Sequence, residues 1–222
     1  MSDDSEPIDT DTMPILERPE TVESPEAGVS TLFSDDVPAL ASKVIAYEAL
    51  FRLMTSDLKF QDFMREILLM LMKTVKSEAG SILEINHKDR TIFFRAAVGH
   101  SSDRVVRFVI PMGKGIVGHV AESRQPLVVS NAAENERHLT AIADAVGFQV
   151  RNLVALPIVV RGQVFAVVEL LNRIGEGNYS DSDVELLSSL CDVIARAVEV
   201  RLMIAWGVNP ESKDMREKKD VA

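Results

Sequence analysis

The sequence predicts an α+β domain, an antiparallel sheet with helices at both ends of the chain. Three observations carry that expectation. Residues 153–172 read as two strong strands, LVALPIVV and QVFAVVELLN, joined by Arg161-Gly162. Two further apolar runs, GSILEIN (80–86) and TIFFRAAV (91–98), flank the polar turn HKDR. Helix-period patterns occupy the regions before the first of these strands and after the last. Strands joined by short turns make an antiparallel sheet, whereas strands alternating with long helices would make a parallel one.

The elements follow in chain order. Residues 1–38 hold eleven acidic residues against Arg18 alone, so this segment carries the whole net charge of −10. With five prolines and few apolar side chains it is expected to be a disordered acidic tail, because it cannot bury enough apolar surface to offset its ordering entropy. From Leu40 the pattern turns helical. Leu40, Val44, Tyr47, Phe51, Met54 and Leu58 recur at spacings of 4, 3, 4, 3 and 4, the seam of a helix with a narrow apolar stripe. That stripe suits an internal contact and an intermolecular one equally. Phe63, Ile67, Leu68, Leu71 and Val75 mark a second helix, expected to pack on its own domain. After the two strands at 80–98, RVVRFVI (104–110) alternates and predicts a third. A short helix is expected from Ile116 to about Ser123, then a brief strand in PLVVS. Residues 131–150 read as a loop with one or two short helices. After the hairpin, residues 179–206 predict a long helix with Ser180 as N-cap, Asp183 three residues on, and acidic residues in the first turn. Leu187, Leu190, Ile194 and Ala197 continue it as a second narrow seam. The last residues, 207–222, form a charged tail.

Composition narrows the function. A hydrophobic content of 46% permits a packed core, and with the net charge confined to the tail the folded part has no bias toward nucleic acid. No apolar run reaches the roughly 18 residues of a membrane span, and the N-terminus lacks the basic start and apolar stretch of a signal peptide. One cysteine, Cys191, excludes an internal disulfide or a multi-thiolate metal site. The four histidines, His87, His100, His119 and His138, lack metal-ligand spacing, so no metal is expected. A cytoplasmic protein without membrane or nucleic-acid partners is expected.

One motif invites a specific chemistry. Gly113, Gly115 and Gly118 spell G-x-G-x-x-G directly after an apolar run, the dinucleotide-binding pattern. That fingerprint needs a strand running straight into the first glycine, a full crossover helix and a parallel partner strand. Here Pro111-Met112 intervene, and Gln125-Pro126 stop the following helix after about two turns. The dinucleotide reading fails.

The same stretch, MGKGIVGHVAESRQPLVVSNAAENERH, followed by GFQVRNLVALPIVVRGQVFAVVELLNR and YSDSDVELLSSLCDVIARAV, resembles a GAF domain. The resemblance runs from about Asp57 to Met203. It implies a central antiparallel sheet of about six strands, terminal helices on one face and a ligand pocket roofed by short helices on the other, with the domain taking residues 39–206. Similar domains regulate cyclic-nucleotide phosphodiesterases and some bacterial adenylyl cyclases, so cAMP or cGMP is the implied ligand.

Carried over position by position, the resemblance puts Ser81 where a serine faces the ligand, and Ile116 and Val117 in the turn whose backbone meets a cyclic phosphate. A helix N-terminus is physically suited to that anion. Glu169 matches a glutamate that approaches the ligand, and an unpaired carboxylate inside FAVVELLN would be costly if it faced only core. Val98 or a neighbour stands where the family places an acidic group that reads the purine. Roof positions, polar in the family, are Leu139, Ala143, Val146 and Val150 here, with Asn131 and His138 counted beside them. The family's N-K…F-x-x-x-D-E signature becomes Asn172, Arg173, Tyr179 and Asp183, then Val184 in place of Glu. An Arg173–Asp183 ion pair is expected to fasten the last strand to the final helix.

No catalytic residue is assigned. Cys191 sits among Leu187, Leu190 and Ile194 and reads as a buried thiol, whereas GAF-fold sulfoxide reductases use pocket cysteines. The expectation is a non-enzymatic sensory domain that binds a small ligand, forms a homodimer through its terminal helices and signals to a partner protein. The alternative is a ligand-free interaction module with a filled pocket.

Overall fold

The computed structural model describes residues 37–100, 102–135 and 147–205. The tail residues 1–36 and 207–222, and the positions His138, Leu139, Ala143 and Val146, lie outside the described residues. Two helices come first, α1 (Val37–Met54) and α2 (Phe60–Val75), followed by β1 (Ser77–Asn86) and β2 (Thr91–Val98). A single helical turn α3 (Ser102–Val105) leads to β3 (Val109–Pro111), helix α4 (Gly115–Ser123) and β4 (Leu127–Val129). A 3-10 turn (Ala132–Glu134), β5 (Leu153–Val160), β6 (Gln163–Arg173) and the long α5 (Asp181–Ala205) complete the order. The six strands form one antiparallel sheet in the order β3-β2-β1-β6-β5-β4.

Alternation along the central strands divides the core into two layers. Ile82, Val154, Leu156, Val168 and Leu170 face the terminal helices, while Leu83, Leu153, Ala155 and Val167 face α4. On the helix side, α2 buries Phe63, Met64, Ile67, Leu68, Leu71, Met72 and Val75 along one stripe. Each such fully buried side chain contributes roughly 1.5–3 kcal/mol of transfer free energy. Helix α5 covers the other half of that face with Leu187, Leu190, Ile194 and Ala197. The second seam is therefore spent inside the domain, because an antiparallel sheet with an apolar face must be covered, and it is not free for a partner.

Helix α1 differs from the expectation in a complementary way. Its inward residues are Ala46 and Leu50, both buried, with Leu53 and Met54 packed beside them. The seam read from the sequence divides: Leu40, Val44 (59% exposed), Tyr47 and Phe51 (66% exposed) turn outward, with Ile45 exposed beside them, while its last members Met54 and Leu58 pack on the core. Tyr47 and Ser189 join their hydroxyls between α1 and α5. A stronger tie is Arg201 of α5, whose guanidinium donates to the carbonyls of Leu53 (3.3 Å), Ser56 (2.7 Å) and Leu58 (2.7 Å). These oxygens end α1 and its turn into α2, where helical partners have run out. The same guanidinium lies 4.0 Å from the centre of the Phe63 ring.

Several local devices follow the sequence. Arg161 and Gly162 take φ of 50° and 75°, the paired left-handed conformation that matches strand twist in a two-residue hairpin. At the start of α5, Ser180 and Asp183 form a reciprocal cap: the Ser180 N–H donates to Asp183 Oδ2 (2.9 Å), and the Asp183 N–H donates to Ser180 Oγ (3.2 Å).

The predicted strand at 104–110 is mostly absent. Hydrogen bonds from Ser102 to the Gly99 carbonyl and from Phe108 to the Val105 carbonyl wind the chain into a turn, and only Val109–Pro111 pair with β2. Alternation over so few residues does not distinguish a strand from a helical turn with one side exposed. Strand β1 also begins earlier than expected, at Ser77, because its first residues pair with the end of β6.

Candidate functional site

The sheet face opposite the terminal helices carries a cavity of about 110 Å³. Its floor is the first half of β1 with the second halves of β2 and β6, and its far wall is the start of α4. The three glycines of the G-x-G-x-x-G motif build that wall. Gly113 and Gly115 hold φ of 79° and 71°, which lets the chain reverse between β3 and α4. Gly118 lies so close to the Gly113 backbone that an added Cβ would sit 2.6 Å from its carbonyl carbon. The motif thus folds a tight strand-to-helix corner.

That corner presents the amino end of α4 to the cavity. Lys114 is the N-cap in extended conformation, with no side-chain capping bond, and Gly118 makes the first helical bond back to its carbonyl at 3.1 Å. The N–H groups of Gly115, Ile116 and Val117 precede that bond and have no helical acceptor. All three residues line the cavity, as does the Lys114 side chain. The positive end of the helix dipole adds to this favourable setting for an anion.

The opposite wall is the sheet. Ser81 and Glu169 are cross-strand partners on β1 and β6, and both face the cavity. Glu169 keeps partial accessibility toward the cavity but is otherwise enclosed by protein. This burial pushes its carboxyl up from 4.5 to about 7, and a hydrogen bond with Ser81 pulls the other way. The remaining lining is mainly apolar, with Phe94, Val98, Val105, Ile110, Phe148, Val150, Leu153 and Leu171 contributing.

Of the positions singled out from the sequence, Ser81, Val98, Ile116, Val117, Val150 and Glu169 surround this one cavity. Asn131 does not line it; its side chain accepts the Ala133 N–H at 3.2 Å and caps the 3-10 turn. Lining residues that sequence reasoning missed include Phe94, Ala97, His100, Ser102, Val105, Lys114 and Phe148. Phe94 and Ala97 were hidden by a bulge. Ile82 pairs with Ala96 but Leu83 pairs with Phe94, so Arg95 is an extra residue and both Phe94 and Ala97 face one way. Val105 was hidden inside the expected strand, and His100 and Ser102 lie in the stretch before it, to which the sequence reading gave no element.

Behind the cavity, a buried amide network holds residues 149–152. Asn172 takes φ of 55°, donates from Nδ2 to the Gln149 carbonyl (2.8 Å) and accepts the Arg151 N–H on Oδ1 (2.7 Å). Asn152 answers by accepting the Arg173 N–H (2.9 Å) and donating to Asn178 (3.1 Å). Arg173 Nη2 then lies 3.2 Å from Asp183 Oδ2, joining β6 to the cap of α5. Tyr179 packs in the same corner with its hydroxyl 2.9 Å from Ser77, and burial lifts its phenol to about 12.

Cys191 faces the helix-side core, across the sheet from the cavity, and burial pushes its thiol up to about 12. It is thus no thiolate nucleophile. Among the described residues no group of three or more His, Cys, Asp or Glu side chains is placed to hold a metal ion. Nor is any described helix long and apolar enough to cross a membrane.

Comparison with known proteins agrees with this architecture. The sequence profile of the GAF domain matches residues 57–199. A cone cGMP-specific 3',5'-cyclic phosphodiesterase subunit alpha' from Mus musculus is 34% identical over 93 residues, 42% of this chain and 11% of that protein. A probable 3',5'-cyclic phosphodiesterase from Caenorhabditis elegans is 28% identical over 112 residues, 46% of this chain and 15% of that protein. The matches therefore span only a small part of these longer relatives. Among solved structures, the GAF domain of a phosphoenolpyruvate-protein phosphotransferase from Coxiella burnetii has a TM-score of 0.66 at 14% identity, covering 77% of this chain and 99% of its own. A free methionine-R-sulfoxide reductase from Neisseria meningitidis, solved with its substrate, has a TM-score of 0.61 at 13% identity, covering 75% and 93%. At such identities the structural similarities speak to the fold alone.

Proposed function

Because this chain belongs to the GAF domain family, we propose that it is a sensory or regulatory domain whose cavity between β1, β6 and α4 binds a small ligand, a cyclic nucleotide, cAMP or cGMP. The observation that carries the reading is the pairing of two unlike polar ends on one apolar cavity. Free N–H groups and Lys114 suit an anionic end, and the Ser81–Glu169 pair suits a hydrogen-bonding end. The relatives named for cGMP specificity support the choice of ligand. The present volume of about 110 Å³ is less than the roughly 150 Å³ of a cavity that admits benzene. A nucleotide therefore binds a more open state, and its binding free energy shifts the population toward that state. Isothermal titration of the full chain with cAMP and cGMP tests the reading. Saturable heat supports it, and its absence at millimolar nucleotide removes it.

The output proposed is a homodimer through the terminal helices, signalling to a partner protein. Support comes from the outward α1 stripe and from exposed Val200 and Ile204 on α5. A depression of about 490 Å³ between the α1–α2 turn and the end of α5 lies beside them. Sedimentation velocity showing a monomer at every concentration would remove the dimer. The reading is sensing and not thiol catalysis, which the placement of the single cysteine across the sheet from the cavity supports. A cytoplasmic setting accords with that single, buried thiol.

A second reading, a ligand-free interaction module, is favoured by the same small volume. A nucleotide panel without any thermal shift, together with a stable dimer, would select it.

A further inference from the structure

One row of side chains across the cavity face is small. Ala97 on β2, Ser81 on β1, Glu169 on β6 and Ala155 on β5 stand opposite one another in register. The row on one side carries Phe94, Leu83 and Val167, and the row on the other carries Leu171 and Leu153. The Glu169 carboxyl therefore stands in a notch flanked by two methyl groups and one hydroxyl, and it borders the cavity directly.

Among the described residues its partners are few. The donor facing it is the Ser81 hydroxyl. A carboxylate has about four lone-pair sites on its two oxygens. No charge faces it from β1, β2 or β5, whose neighbours here are Ser81, Ala97 and Ala155. Among the described residues, the charged or titratable groups lining the same cavity from other elements are Lys114 on α4 and His100 after β2. Neither forms an ion pair with Glu169. An enclosed carboxyl with one donor is under-satisfied when ionised, and it favours the neutral acid until another donor arrives.

We propose that Glu169 couples ligand binding to a proton: the ligand presents an N–H or O–H donor to this carboxyl, and the acid gives up its own proton when that donor binds. This rests on the small-ligand reading above. The balance is simple. The carboxylic proton leaves to buffer, the donor hydrogen stays on the ligand, and up to one proton is released per ligand bound. Affinity then rises with pH while the free site is protonated, and levels once it is ionised. With the free carboxyl at about 7, affinity at about pH 8 exceeds that at about pH 6 by about tenfold.

The test is isothermal titration of the full chain with cAMP and with cGMP at about pH 6 and about pH 8, each in two buffers of different ionisation heat. Expected are an affinity about tenfold higher at the upper pH, proton release at the lower one, and loss of both in Glu169→Gln. Equal affinities, or tighter binding at the lower pH as an acceptor-type ligand would give, overturn the proposal. Retention of the slope in Glu169→Gln overturns it too. If neither nucleotide binds at either pH, the cyclic-nucleotide reading fails separately. Acetamidine, a donor smaller than benzene and so within reach of a cavity of about 110 Å³, then replaces them. It must show the same rise with pH in wild type but not in Glu169→Gln, and failure to bind or a flat profile sinks the proton coupling.

Discussion

Replacing Glu169 by Gln keeps the shape of the side chain and removes its titration. The wild-type carboxyl moves from 4.5 to about 7 on folding. Below the unfolded value both states are protonated, and the native acid contributes its full stability. As pH rises toward the folded value the unfolded chain ionises first, so the native state binds the extra proton and stability falls. Above about 7 both states are ionised and the loss is complete. The shift is about 2.5 units, and at 1.36 kcal/mol per unit it corresponds to about 3 kcal/mol. Between about pH 5 and about pH 8, some 2–3 kcal/mol of that difference should be visible. Urea denaturation of wild type and Glu169→Gln across this range measures it. Expected is a wild-type stability that declines relative to the variant as pH rises. Ser81→Ala should move the midpoint higher still, because Ser81 stabilises the ionised form. A constant difference between wild type and Glu169→Gln would refute the reasoning, since a carboxyl with an ordinary folded value has no such window.

Asn172→Ala should cost about 3 kcal/mol in urea denaturation, from two lost amide hydrogen bonds and the strain of a left-handed alanine; Asn172→Gly, free of that strain, should cost about 1 kcal/mol less. Arg201→Met retains an apolar stem over Phe63 but takes the guanidinium donors from the carbonyls of Ser56 and Leu58, while the Leu53 carbonyl keeps the Ser56 N–H and hydroxyl. It should lower stability by roughly 2–3 kcal/mol in thermal denaturation and speed amide exchange at the end of α1. Gly118→Ala sets about 1 kcal/mol of gained helix propensity against a Cβ 2.6 Å from the Gly113 backbone. The overlap should win by about 1–3 kcal/mol net, read as a lower melting temperature.

The parts of the fold that were legible in the sequence are those set by neighbours in the chain. The β5–β6 hairpin, the Ser180–Asp183 cap and the stripe of α2 each depend on residues within a few positions of one another. What escaped depends on distant partners. The stripe of α1 has the right spacing, but which side faces inward is decided by the sheet and α5, and Ala46 and Leu50 won the inner position. The bulge at Arg95 arises in pairing with β1, and it changes which side chains of β2 reach the cavity. RVVRFVI alternates, yet its path is set by where β2 ends and α4 must begin. For the cavity, the corner glycines and Glu169 could be found, because each is odd for its context. Phe94 and Phe148 could not, being ordinary apolar residues whose role comes from position.

The middle of strand β6 has no outward side: from Ala166 to Leu171 its residues alternate between the helix-side core and the cavity face. Two selective demands are therefore interleaved along one stretch of chain. In a saturation mutagenesis scan, Val168 and Leu170 should accept only volume-matched apolar replacements, while Glu169 between them should tolerate loss of charge for folding but not for sensing. A replacement along this strand is therefore judged by packing under the helices at one residue and by the wall of the cavity at the next, so neighbouring positions answer to different tests.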